Sequence, residues 1–208
     1  RGPVTAPAVA AAGATGAVGG VGIGILSGRG FRVGELRLLA AGRSAGRTLS
    51  IEGRTLEITE ATPEAFEGVD IALFSAGGDV SRDLAKAAVA RGATVIDNSS
   101  AWRMDPDVPL VVPEANEHAL ARVPTGIVAN SNCTTMVAIP VLKPLDRPAG
   151  LEAMVVSTYQ AVSGAGLAGV VGKTAGELHS IPVPTTVRYE GGLGNVITGV
   201  LQSQVSPN

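Results

Sequence analysis

The chain has one cysteine, Cys133, set in Asn130-Ser131-Asn132-Cys133-Thr134-Thr135 between a short apolar run with strand character and a longer apolar segment with helical character. A thiol at a helix N-terminus meets the positive end of the macrodipole and backbone N–H groups that lack intrahelical partners, conditions that favour a reactive anion. Nucleophilic catalysis is the chemistry such a sulfur would do. The competing reading is a small buried apolar residue, a common fate for cysteine outside disulfides.

A second candidate lies near the start of the chain, where Gly13-Ala14-Thr15-Gly16-Ala17-Val18-Gly19 follows an alanine-rich strand and opens an apolar helix. In a dinucleotide-binding turn, Gly13 would allow the tight bend, Gly16 the approach of backbone to a pyrophosphate, and Gly19 the close packing of helix on sheet. Thr15, Ala17 and Val18 complete that loop. Beyond the next strand comes Ala41-Gly42-Arg43-Ser44, where NAD-binding chains usually place an acidic residue. An arginine and a hydroxyl there, Arg43 and Ser44, suit a 2′-phosphate and point to NADP; the alternative is a solvated turn.

These loops need strands and helices to hold them, and the order of elements supplies both. Strands are expected over residues 8–12, 35–41, 69–75, 94–97 and 126–130, with a hairpin over 48–58 turned at Glu52-Gly53. Helices are expected from the glycine loop to about residue 28, from Thr62-Pro63-Glu64 onward, over 80–91 and from Cys133. Strands alternating with helices imply crossover connections, hence an α/β, doubly wound Rossmann-type sheet with its ligand-binding loops at the carboxyl ends.

Composition narrows the function classes. The chain has 208 residues, 45% hydrophobic and 16% charged, with a net charge of −2, so no polyanion-binding surface and no nucleic-acid partner are expected. No apolar stretch is long enough to span a bilayer, no secretory signal opens the chain, and a single cysteine excludes an internal disulfide framework; the expected compartment is the cytoplasm. Gly172-Lys173-Thr174 resembles the end of a P-loop, but the required earlier glycine is displaced to Gly166, which rejects a nucleotide triphosphatase. One cysteine and two separated histidines make no metal centre.

Taken in order, Gly13 to Gly19, Arg43-Ser44-Ala45-Gly46, Phe74-Ser75-Ala76-Gly77-Gly78, Asp97-Asn98-Ser99-Ser100-Ala101, Val111-Val112-Pro113-Glu114, Ser131-Asn132-Cys133-Thr134-Thr135 and Ser163-Gly164-Ala165-Gly166 resemble the successive signatures of aspartate-semialdehyde dehydrogenases. The resemblance covers about residues 8–169. It implies NADPH-dependent reduction of aspartyl β-phosphate to aspartate semialdehyde with release of phosphate, on the route to lysine, diaminopimelate, threonine, methionine and isoleucine. It makes Cys133 the nucleophile that forms a thioester and Asn132 its neighbour that orients substrate and oxyanion. By the same resemblance Arg103 grips the substrate phosphate, Gln160 binds substrate, and Ser75, Gly77, Ser163 and Gly164 line the cofactor. Members pair as homodimers through their second domain.

After Gly169 the likeness ends, and the region expected to carry the acid/base histidine, a carboxylate-binding arginine and a phosphate-site lysine is absent or divergent. His179 stands in a different context from the family's histidine, and His118 reads as an exposed residue in a first helical turn. The expected organisation is a cofactor domain over residues 1–132, the nucleophile helix and the start of a catalytic domain over 133–169, with a strand over 151–160, and a divergent tail over 170–208. Two alternatives remain: a non-catalytic NADP-binding fragment and an N-acetyl-γ-glutamyl-phosphate reductase, whose cysteine motif usually carries proline and glycine before the nucleophile.

Overall fold

A computed structural model describes residues 6–51, 53–151, 156–160 and 181–185. The chain divides into two compact units, one formed by Arg1–Pro109 with Val123–Ala129 and the other by Leu110–Arg122 with Asn130–Asn208.

The first unit is built on β1 (Ala8–Ala12), α1 (Ala17–Gly28), β2 (Glu35–Ala40), the hairpin β3 (Thr48–Ile51) and β4 (Arg54–Glu60), β5 (Ile71–Phe74), α2 (Gly78–Ala90) and β6 (Thr94–Asp97). Its strands run in the order β3-β4-β2-β1-β5-β6. All neighbours in that series are parallel except the β3–β4 hairpin. β1 is central and buried, with Val9 to Ala12 at 4% exposure or less. Its alanines are small enough to let α1 pack closely above Ala11 and Ala14, where Ile23, Leu38 and Ile58 complete the core. The order reverses on either side of β1: β2 lies on one flank and β5 on the other, so the loops leaving β1 and β5 face the crevice where doubly wound sheets bind ligands.

β8 (Ile127–Asn130) continues the sheet beside β6 in parallel, with Val95 opposite Ile127 and Asp97 opposite Ala129. On β2, Arg37 donates to Glu35 at 2.6 Å and to the carbonyls of Ala65 and Glu67 at 3.2 and 2.6 Å, pinning the strand to the turn that follows β4. The same hydrogen bond holds the Glu35 carboxyl below its ordinary range.

The second unit holds β7 (Leu110–Val111), α3 (Pro113–Asn116), α4 (Cys133–Ala149) and a ladder of β9 (Val156–Gln160) with β10 (Ile181–Thr185). α4 buries Ile139 against Val112 and Ala115, with Met136, Leu142 and Leu151 around them. Lys143 donates to the Ala115 carbonyl, which ties α4 to α3. Pro140, Pro144 and Pro148 all lie inside α4. Spaced by four, they fall on one stripe, so the backbone hydrogen bonds they remove are lost from a single face. Gly150, at φ +69°, closes the helix with its N–H on the Asp146 carbonyl at 2.8 Å.

Several elements differ from the sequence expectation. The helix expected from Thr62 is only a single 3₁₀ turn, Pro63–Phe66, without a side-chain cap from Thr62 to a backbone N–H. Phe66 is fully buried and stacked on Phe74 with ring centroids 5.5 Å apart, and the backbone leaves the turn at Glu67, which is extended, and Gly68, at φ +72°. β7 and α3 had no strand or helix signal strong enough to be seen. Within the region expected to be a divergent tail, β10 pairs antiparallel with β9, Ile181 opposite Gln160. Among the described residues no helix is long and apolar enough to cross a membrane.

Candidate active site

The glycine loop is tightly held from below. Gly13 and Ala14 donate to the Leu39 carbonyl at 2.8 and 3.1 Å, and Gly16 donates to the Gly13 carbonyl at 2.9 Å. Gly13 takes φ +91°, and a Cβ there would stand 2.4 Å from the Ser75 carbonyl oxygen; only glycine fits both conditions. Gly19 has ordinary helical backbone but an equally strict requirement, because a Cβ would lie 2.2 Å from the Gly13 carbonyl oxygen. Helix packing on the loop is thus closest at Gly19, as its position in the motif predicts.

Gly16 is the N-cap of α1, and no side chain caps the first turn. That turn therefore keeps backbone N–H donors for an anion, with the helix dipole behind them. A Cβ on Gly16 would be 3.8 Å from the Ser75 carbonyl oxygen, so the β1–α1 loop and the Ser75-Ala76-Gly77 loop lie side by side. Gly77, at φ +90°, is the N-cap of α2, and it too lacks a side-chain cap. Thr15 is half-buried; Ala17 and Val18 are exposed. Gly13, Thr15, Gly16, Ala17, Val18, Ser75 and Gly77 thus form a glycine-lined cradle at the carboxyl ends of β1 and β5, and these residues fit the pyrophosphate of a dinucleotide.

Arg43 and Ser44 occupy a 3₁₀ turn, Gly42–Ser44, directly beyond β2, the strand beside β1. Arg43 is exposed, whereas Ser44 is 8% exposed. Sequence reasoning missed Glu60, whose carboxylate comes within 2.7 Å of the point where a Gly42 Cβ would stand. Nothing local pairs those two positions; they meet only because β4 runs parallel to β2.

Arg103 lies on the loop after β6, half-buried, and donates through Nη2 to the Asn98 carbonyl at 2.9 Å. In the second unit, Cys133 is the first residue of α4 and is exposed, which overturns the buried apolar reading. Asn132 is the N-cap, its Oδ1 accepting from Thr134 N at 2.9 Å and from the Thr134 hydroxyl. This cap starts the helix at the cysteine and holds Thr134 in place. Gln160 ends β9; Ser163, Gly164 and His179 lie outside the described residues. His118 is exposed in the 3₁₀ turn Glu117–Ala121.

Comparison with known proteins gives this arrangement a lineage. The family described as "Semialdehyde dehydrogenase, NAD binding domain" matches residues 8–123, more than half of the chain. The chain belongs to the semialdehyde dehydrogenase NAD-binding domain family. Among relatives of this family, the aspartate-semialdehyde dehydrogenase of Streptomyces akiyoshiensis is 58% identical over 167 residues, which are 80% of this chain and 47% of that one. That of Bacillus subtilis is 54% identical over 158 residues, 76% of this chain and 45% of that one. A crystal structure of aspartate semialdehyde dehydrogenase II from Vibrio cholerae, complexed with ASA, superposes with a TM-score of 0.76 at 44% identity, over 81% of this chain and 52% of that one. The Candida albicans enzyme, solved with NADP, gives 0.64 at 25% identity over 86% of this chain and 64% of that one. The chain therefore spans about half the length of the curated relatives it matches.

Proposed function

We propose that the chain provides the cofactor-binding and nucleophile-bearing parts of an aspartate-semialdehyde dehydrogenase that reduces aspartyl β-phosphate with NADPH. The observation that carries this reading is an exposed Cys133 at the first position of a 17-residue helix, in a chain whose preceding residues form the family's NAD-binding domain. Residues 1–132 then serve the cofactor and residues 133–169 begin the catalytic part.

The roles follow from what each residue offers. The α1 N-terminus and the Gly13–Gly16 turn receive the pyrophosphate. Arg43 holds the 2′-phosphate, with Ser44 behind it shaping the turn. Arg103 grips the substrate phosphate through a planar fork of donors. Cys133 attacks the acyl carbon as the thiolate, its sulfur bonding to carbon while the carbon–oxygen bond to phosphate breaks, which leaves a thioester on the enzyme. Asn132 and the first-turn N–H groups of α4 steady the oxyanion. NADPH held in the glycine cradle would supply hydride to that carbonyl, and collapse of the resulting thiohemiacetal breaks the carbon–sulfur bond, releasing aspartate semialdehyde and returning the electron pair to the Cys133 sulfur. Gln160, Ser163 and Gly164 complete the substrate and nicotinamide contacts. The setting this reading implies is a cytoplasmic homodimer acting on small molecules in amino-acid biosynthesis.

Phosphate-dependent reduction of NADP by aspartate semialdehyde is the deciding assay, because the reverse reaction needs the thiol, the cofactor and the phosphate together. Cofactor binding without turnover is the outcome that would favour a cofactor-binding fragment instead. The cofactor choice is tested apart from turnover. Charge-assisted hydrogen bonds contribute roughly 1.5–3 kcal/mol, so Arg43→Ala should weaken NADP binding by about 10- to 100-fold. NAD binding should change little, and calorimetric titration of both cofactors reads the difference.

A further inference from the structure

The loop that presents Arg103 is fastened at several points. Asp97, the last residue of β6, is 0% exposed and uses both carboxylate oxygens on Ser99: Oδ1 accepts from the Ser99 N–H at 3.1 Å and Oδ2 from its hydroxyl at 2.7 Å. The Ser99 hydroxyl oxygen in turn accepts from the Ala101 N–H at 3.1 Å. One residue on, Trp102 is 7% exposed and donates from its indole N–H to the Ser81 hydroxyl at 2.8 Å. Ser81 is fully buried on α2, and Lys86 of the same helix sets its ammonium 5.4 Å from the indole ring centre. Arg103 follows immediately, its guanidinium on the Asn98 carbonyl at 2.9 Å.

We propose that the Ser81–Trp102 hydrogen bond and the Asp97–Ser99 turn are positioning devices that hold Arg103 in its anion-binding pose. The inference rests on the reading of Arg103 as the ligand of the substrate phosphate and adds the residues through which that ligand is aimed. A bare arginine on a surface loop loses about 2 kcal/mol of rotamer freedom when it is fixed on an anion, and the fastened backbone removes part of that loss before binding. A buried carboxylate that faces hydroxyl and N–H donors also resists rearrangement, since moving it would strand a charge away from water. Trp102 supplies the rigid lever: its ring is packed, its N–H is satisfied on α2, and the next residue has little choice of direction.

The test is titration of the chain with inorganic phosphate, followed by NMR through the Arg103 side-chain Nε–Hε signal and, for variants lacking it, neighbouring backbone amides. Arg103→Lys should weaken phosphate binding at least about tenfold, since a point charge replaces a fork. Ser81→Ala removes the acceptor alone, whereas Trp102→Phe removes the donor together with part of the buried indole. Each should weaken phosphate about three- to tenfold and broaden the Arg103 signal, while NADP affinity moves less than twofold. The double variant should be no weaker than Trp102→Phe alone, because the bond that Ser81→Ala removes is already gone, whereas general loosening would add. Should Ser81→Ala fail to fold, Ser99→Ala makes the same comparison from the other side of the loop. Unchanged phosphate affinity in the Trp102 and Ser81 or Ser99 variants, with Arg103→Lys still impaired, overturns the inference and leaves the Arg103 reading standing. An unimpaired Arg103→Lys overturns both.

Discussion

Cys133→Ser is expected to lower phosphate-dependent reduction of NADP by aspartate semialdehyde at least about a thousandfold, with cofactor affinity unchanged. The substitution is nearly isosteric, so the start of α4 and its Asn132 cap should persist. What changes is the chemistry of the atom. A hydroxyl needs a strong base to become a nucleophile, whereas sulfur is intrinsically the stronger nucleophile. The oxygen ester that serine would form is also a poorer hydride acceptor than a thioester, so both halves of the reaction suffer. Cofactor affinity should be spared because the glycine loop is in the other unit and within the residues that the NAD-binding family covers. Steady-state rates with calorimetric cofactor titration on the same preparations check both claims. A serine variant retaining a tenth of the activity would exclude a required Cys133 thioester.

The parts of this chain that were legible in its sequence are those whose constraint is local. Gly13 and Gly19 could be read because a bend and a close helix approach admit only one residue type, and the structure places backbone atoms where their side chains would be. Cys133 could be placed at a helix start because a short strand-like run precedes it and a longer helical run follows, and the structure adds Asn132 as the cap. The turn at Thr62-Pro63 carried the same kind of local signal and did not become a helix. There the chain turns out of the helix at Glu67 and Gly68, and Phe66 is instead buried against Phe74. Contacts that depend wholly on tertiary register left no trace in the sequence. Glu60 reaches Gly42 only through parallel pairing of β2 and β4, and Ser81 meets Trp102 only where α2 passes the loop after β6. The Asp97-Asn98-Ser99 spacing was a partial exception, since an aspartate two residues before a serine is an Asx-turn signal.

Gly19→Ala should weaken NADP binding by about a hundredfold, equivalent to roughly 2.7 kcal/mol, although alanine is the better helix former. The added Cβ would lie 2.2 Å from the Gly13 carbonyl oxygen, 2.9 Å from its carbon and 3.0 Å from the Ala14 Cα. All three are backbone atoms, so no side-chain rotation relieves the overlap. Either α1 lifts away from the loop or the loop opens, and each displaces the N–H groups that would meet the pyrophosphate. A built-in control stands one residue on. A Cβ at Gly20 would meet nothing within 4 Å, so Gly20→Ala should leave NADP affinity alone and stabilise the fold by about 0.5–1 kcal/mol through the lower entropy of its unfolded chain. Urea unfolding and cofactor titration on the two variants separate propensity from contact. If both alanines behaved alike, the close packing of α1 on the glycine loop would not be what shapes the cofactor site.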